Sequence, residues 1–461
     1  MTAASTVRRF FIALRLMPAC LCLLAAMGSA NGGAAPADAK LKFLYTAAPL
    51  YKPLAWMHGA DRFPSGAMIF VQDAEGRHRL VPDFAASADP AVSFDGQHIL
   101  FAAKLKAQDP WQVWEIALAG GDARLLTTGP EDCIRPLYLP DDRIVYARRV
   151  AGRFEIEAVD VGGGKPLPLT YGPANFLPTD ILRDGRILFE AGYPLGSETN
   201  SEIYTVYSDG SGVESYRCDH GSARHQGIQI NSGDIVFAGV SGLSRFTSAR
   251  AQSIPIPAPL GEYAGDIAET SSGDWLLPWR HDAQAHFQLV LWSPGATSLR
   301  SAVAEADADA VEPVLLAGHT LPKRHPSGLH DWANANLLCL NAYTSKYRFA
   351  AGSIHSARLY TRDDVGQARS LGTAPVERDG SFFMHVPSDQ PLQIELLDRA
   401  GKVLKREEGF FWLRRGEQRA CVGCHAGPET APENAVPMIL LKSTTPADMT
   451  GGDRQISTKG H

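Results

Sequence analysis

From about residue 90 to 300 the chain repeats one pattern of polar and apolar positions, a polar turn followed by a short apolar run. It reads FDGQHILFAA (94–103), PDDRIVYARR (140–149), RDGRILFEAG (183–192), NSGDIVFAGV (231–240) and SSGDWLLPWR (271–280). The turns recur every 40 to 48 residues, the period of a propeller blade. A second unit follows in step: VWEIALAGGDARLLTTG (113–129), FEIEAVDVGGGKPLPLTYG (154–172) and SEIYTVYSDGSGVE (201–214). Each reads as a strand, a glycine-rich turn and a short closing strand. No segment carries a helical period. Strands grouped in fours predict an all-β protein whose first part, residues 41–320, is a β-propeller. Counting a partial blade at GAMIFVQDAEGRHRLVP (66–82) gives six blades, with seven as the alternative.

The grammar changes after LPKRHPSGLHDW (321–332), a link with two prolines and few apolar residues. LLCLNAYTSK, AAGSIHSARLYTR and ERDGSFFMHVPSDQPLQIELLDRAGKVLKRE read as strands of a small β-sandwich-like domain spanning 329–442, with 443–461 a tail. The DG at 379–380 and RAG at 399–401 are predicted hairpin turns. PENAVPMILL, which holds Met438, reads as strand-like.

Composition narrows the function. A net charge of −6 without a long Lys/Arg run excludes a nucleic-acid partner. Residues 1–30 have a basic start at Arg8, Arg9 and Arg15, a short apolar stretch LMPACLCLLAAM, and small residues before Asn31. This is the pattern of a secretory signal peptide, and it predicts a periplasmic protein with no transmembrane segment in the mature chain. Arg8-Arg9-Phe10-Phe11 matches a twin-arginine signal only in part, and apolar residues continue past Cys20, which argues against lipidation there. Beyond the signal stand Cys133, Cys218, Cys339, Cys421 and Cys424. Five cysteines in so long a chain do not make a disulfide scaffold, and the first three read most simply as buried small hydrophobes.

The chemistry concentrates in RACVGCHAGPE (419–429). Cys421-x-x-Cys424-His425 is the attachment sequence of a c-type haem. Two residues between the thiols let both sulfurs reach vinyls on adjacent pyrroles, and the next histidine lies under the iron as axial ligand. A structural zinc site needs a second pair of ligands that is not nearby, a thioredoxin-like motif needs a βαβ setting, and a disulfide across two residues is strained. One motif predicts one covalent haem c. For the sixth iron position the chain offers Met438, Met449, His385 and His461, with His355 and His330 further back; none stands out, so an open or water-ligated iron is the expectation. In the propeller, Cys218, His220 and His225 form one candidate metal cluster and His281 with His286 another, although exposed loop histidines are common.

The propeller repeats resemble those of TolB-type propellers, whose repeat core is D-G-x-x-[IL]-x-F. The run LLCLNAYTSK, GSIHSARLY, LGTAPVERDGSFFMHVP, LQIELLDRAGKVL and LRRGEQRACVGCHAG resembles the hydrazine synthase alpha-subunit middle domain family, over about residues 329–442. That resemblance implies a propeller ahead of a haem module, Cys421 and Cys424 as thioether residues and His425 as motif histidine. Two departures bear on activity. The alpha subunit that names the family has a second haem domain after this one, whereas this sequence stops 36 residues past His425. It also uses a tyrosine soon after the motif as axial ligand, and no tyrosine follows Tyr360 here. Hydrazine synthesis is therefore not implied. Three readings remain open: an electron-transfer protein working with a redox partner, a haem enzyme acting on a small-molecule substrate, and a propeller scaffold that uses its haem as a sensor.

Overall fold

The computed structural model describes residues 41–193, 200–217, 223–249, 251–362, 367–407, 409–423 and 435–451. The expected signal peptide, Cys218, His220, Cys424, His425 and His461 lie outside them.

Among the described residues, six sheets follow one another around the first part. Five are continuous in sequence. They run from Ala86–Val92 to Arg124–Leu125, from Cys133–Tyr138 to Leu167–Pro168, from Asn175–Ile181 to Glu214–Ser215, from Arg224–Gln229 to Ile254–Pro255, and from Glu262–Tyr263 to Arg300–Val303. The remaining sheet closes the ring. Asp309–Leu315 pairs antiparallel with Phe43–Ala48, which pairs in turn with Met68–Gln72 and then Arg77–Arg79. Neighbouring sheets meet along their innermost strands, and aliphatic and aromatic side chains such as Val145, Ile156, Phe176 and Phe189 fill the wedges between them. The repeated turns explain the recurring Gly and Asp. Gly96, Asp142, Gly185, Gly233 and Gly273 occupy the same turn position, with φ of 74°, 63°, 90°, 95° and 83°. That left-handed conformation is open to glycine and tolerated by aspartate.

The second part is a sandwich. One sheet runs Gln418–Cys421, Ala335–Cys339, Phe382–Val386, Ala447–Asp448; the other runs Ala368–Pro375, Ser356–Arg362, Leu392–Leu397, Val403–Arg406. Their inner faces share one apolar core, with Leu337, Cys339 and Met384 from the first sheet and Ala357, Leu359 and Leu396 from the second. The RAG turn joins paired strands, as expected, and Gly401 has φ 81°. The DG turn does not make a hairpin. The strands on either side of it belong to different sheets, so residues 379–380 carry the chain across the sandwich. Gly380 is pressed there against the 341–343 loop, where a Cβ would meet Asn341 Oδ1 at 2.6 Å and Ala342 N at 2.7 Å. PENAVPMILL also departs from expectation. Met438–Lys442 is a short α-helix, whose first two N–H groups are taken by Asp379 Oδ2 and Ser381 Oγ rather than by a neighbouring strand.

The two parts share packed surface. Trp412, just before the motif strand, is 1% exposed and lies in the propeller's own cluster against Phe176 and Phe189. Around it Arg414 donates to Pro168 O at 2.6 Å, Gly212 N donates to Glu417 Oε1 at 3.1 Å, and Arg419 donates to Val213 O at 3.1 Å.

Candidate functional site

Cys421 ends the edge strand Gln418–Cys421, which runs parallel to Ala335–Cys339 in the register Asn336↔Gln418, Leu337↔Arg419, Leu338↔Ala420, Cys339↔Cys421. In-register partners on parallel strands face the same side. Cys421 is half-buried against the sandwich core, and its carbonyl accepts the Leu340 N–H at 2.9 Å. Two residues on, Gly423 is held so closely that a Cβ would meet Thr344 O at 2.1 Å and Asn341 O at 2.8 Å. The small residue inside Cys-Val-Gly-Cys-His is thus a packing requirement: the backbone of the motif lies directly on the 341–344 loop. That loop brings Tyr343 to the core edge, with Phe349 nearby. An edge strand ending in a half-buried thiol beside aromatic surface fits a covalently held, largely apolar ring, so Cys421 suits haem attachment; Cys424 and His425 lie outside the described residues.

The candidates for a second axial ligand are dispersed. Met449 is 2% exposed in the sandwich core, with its sulfur over Gly372. His385 shares its strand with buried Met384 but faces the other side, where Nδ1 lies 2.8 Å from Asn336 Oδ1. Cys421 belongs to the core side, so His385 is turned away from it. Met438 is nearer the motif, through the 379–381 turn and the 341–344 loop, yet its Sδ lies 3.3 Å from the Arg378 Nε donor. His355 is half-buried, and its N–H donates to Leu397 O. His330 is exposed and stacked on Trp332 at 4.6 Å.

The propeller's histidines also separate. His281 and His286 are exposed, with His286 Nδ1 at 3.4 Å from Asp309 Oδ1. His225 lies on the innermost strand of its sheet, its Nδ1 buried without a partner among the described residues, and burial pushes the imidazole down to about 4. Among the described residues no three His, Cys, Asp or Glu side chains converge as metal ligands.

His225 belongs to a feature that the sequence reading missed. At the propeller axis, Asp89, Arg135, Gln226, Asp266 and Glu312 have left-handed backbones with φ of 58°, 52°, 55°, 52° and 55°. Four of them sit at register irregularities of innermost strands, and Asp266 lies between two short strands that flank a single partner. Bulges of this kind re-aim a side chain, here inward. Glu312 accepts from Thr46 Oγ1 at 2.7 Å, Arg62 Nη1 at 2.8 Å and Asp89 N at 2.9 Å. Arg62 also pairs with Asp89, and Arg135 reaches Gln226 Oε1 at 2.6 Å and Asp266 Oδ1 at 2.9 Å. Burial works against charge on Asp89, but Arg62 and Arg135 outweigh it and hold the carboxyl below the usual range. Glu190 is different. Burial pushes its carboxyl up to about 8, and although Gln226 N donates to one oxygen, the other has no partner among the described residues. The signal was available in the sequence as a polar residue before proline in three of the innermost strands: Asp89-Pro90, Arg135-Pro136 and Glu312-Pro313. A cavity of about 210 Å³ is lined by Tyr138, Asp180 and Gln229 from three of the sheets and by His319, just after the closing strand. Burial raises the Asp180 carboxyl to about 7.

Residues 342–426, which include the whole motif, match the family model of the hydrazine synthase alpha subunit middle domain. No curated protein matches the chain. Among solved structures, Kuenenia stuttgartiensis hydrazine synthase aligns with TM-score 0.74 and 16% identity over 87% of this chain and 71% of that chain. TolB from Acinetobacter baumannii aligns with TM-score 0.44 and 15% identity over 62% of this chain and 68% of that one. No helix among the described residues is long and apolar enough to cross a membrane. The chain thus shares its fold, across the propeller and the sandwich, with hydrazine synthase, and its residues 342–426 are similar in sequence to the alpha-subunit middle domain.

Proposed function

We propose that the chain is an exported, periplasmic redox protein related to the oxidoreductases of nitrogen metabolism, carrying one haem c on Cys421 and Cys424 with His425 as axial ligand. The observation that carries this reading is the position of Cys421, the first residue of CVGCH, at the end of an edge strand, inside a region whose match to the middle-domain family spans 342–426. The haem supplies a one-electron couple. The protein's own residues fix its place: Gly423 seats the motif on the 341–344 loop, and Trp412 and Arg414 lock the strand's approach against the propeller. A redox partner protein would exchange electrons at this edge of the sandwich.

A second reading, a haem enzyme acting on a small nitrogen-containing or peroxide-type substrate, is favoured by the scatter of the described sixth-ligand candidates. Met449 is core, His385 faces away and Met438 faces Arg378. The mass of the purified chain and its optical spectrum in both redox states test the shared premise. A covalent adduct with reversible one-electron cycling supports electron transfer. Carbon monoxide binding at micromolar concentration, with turnover of peroxide or a nitrogen oxide, supports the enzyme. If neither cycling nor turnover is found, the haem serves sensing on a binding scaffold.

A further inference from the structure

Cys339 has no part in haem attachment, yet it is the cross-strand neighbour of Cys421. Adjacent strands lie about 4.8 Å apart, within the Cα separations that a disulfide spans. Cys339 is 1% exposed in the sandwich core, Cys421 packs against the same core, and both face one side of the sheet. We propose that in the haem-free protein Cys339 and Cys421 form a disulfide that withholds Cys421 from haem attachment, so that the redox state of this pair gates maturation. The inference rests on the haem reading only for its consequence; the bond itself does not depend on it.

The chemistry is a thiol–disulfide exchange with a protein disulfide donor of the oxidising compartment. The half-buried Cys421 thiolate attacks the donor's disulfide, forming a mixed disulfide and releasing one donor thiolate. The Cys339 thiolate then attacks Cys421 Sγ and releases the second donor thiolate. Two protein S–H groups become one S–S bond while the donor disulfide becomes a dithiol, so the two electrons and two protons pass to the donor. The order follows exposure, since Cys421 is half-buried and Cys339 only 1% exposed. Because 81 residues separate the pair, only a chain that has already aligned its parallel strands presents them to each other.

The test uses the full chain, exported in cells that lack haem-attachment machinery. Thiols are blocked before and after reduction, and peptides are mapped without reduction. The expected result is a linked pair of peptides joining Cys339 to Cys421, lighter than the reduced pair by the mass of two hydrogens. With the machinery restored and reductant limiting, Cys339→Ser and Cys339→Ala should carry several-fold more covalent haem than the wild type. A Cys421–Cys424 bond, or alkylation of both Cys339 and Cys421 in the folded haem-free chain, overturns the proposal. A chain that forms the Cys339–Cys421 bond but takes up no haem in any background overturns the haem reading instead.

Discussion

The propeller and the sandwich solve the problem of a buried centre in opposite ways. Along the propeller axis Arg62, Asp89, Arg135, Asp266 and Glu312 form a connected ionic network, held by left-handed bulge residues. The sandwich interior is apolar, built from residues such as Leu337, Leu359, Met384 and Leu396. A ring of sheets leaves a shaft down its middle that apolar side chains must fill or polar ones must satisfy; two sheets face to face leave none. The propeller accordingly pairs its inward charges, with one oxygen of Glu190 and the Nδ1 of His225 left over among the described residues, whereas the space between the two sandwich sheets is filled by apolar side chains. What the sandwich keeps for chemistry is an edge strand.

The largest effect expected from breaking this contrast is at that edge. Cys421→Ala together with Cys424→Ala should abolish covalent haem while leaving the β-rich far-ultraviolet spectrum intact, because Cys421 is only half-buried at the edge of the sandwich core. Loss of fold together with haem would mean that the haem is part of the core. Next is the shaft: Arg62→Ala leaves Asp89 and Glu312 buried with only Arg135 as cation and should destabilise the chain by about 3–5 kcal/mol, read by denaturant titration. A loss below about 1 kcal/mol would show that water replaces the guanidinium.

The joint between the regions comes third. Trp412→Ala opens a hole in the propeller cluster and should cost about 3–4 kcal/mol, splitting a single unfolding transition into two. Residues 321–461 alone, which the linker's composition suggests should fold by themselves, would leave Trp412 in water and should yield less soluble haem protein than the full chain. Equal yields would show that the joint is dispensable.

Smaller still is the alkaline response of the shaft. Glu190 titrates near 8 in the fold against 4.5 when exposed, so the folded state holds its proton where the unfolded state has lost it. That contribution is complete below 4.5 and disappears as pH rises through 8. The melting temperature should therefore fall between about pH 4.5 and pH 8, and Glu190→Gln should flatten that fall by a few degrees. The smallest effect is expected from Met438→Ala, which should leave the optical spectrum unchanged; disappearance of a Met–iron band would place Met438 on the iron after all.

Much of this was legible in the chain. The D-G turns announced the repeat because a left-handed turn position selects Gly or Asp locally, whatever the rest of the fold does. The CVGCH motif could be picked out as a candidate site because its residues are contiguous in the sequence. The axial network was not read, since its members come from different sheets and only closure of the ring brings them together. The helix at Met438–Lys442 was missed for a related reason: its N-terminal N–H groups are capped by Asp379 and Ser381, about sixty residues upstream. Trp412 lies in an ordinary-looking stretch, FFWLRR, and nothing local to it says that its ring belongs to another domain.

The clasp between Phe43–Ala48 and Asp309–Leu315 also sets a clock. A chain that leaves its site of synthesis N-terminus first has five sheets ready to fold while the first still lacks its inner strand. The ring stays open until residue 315 has emerged, and the cysteines of the CVGCH motif follow about a hundred residues later. Closure of the ring and arrival of the attachment motif are thus separate events in a fixed order, with the propeller offering Trp412 its seat before Trp412 appears.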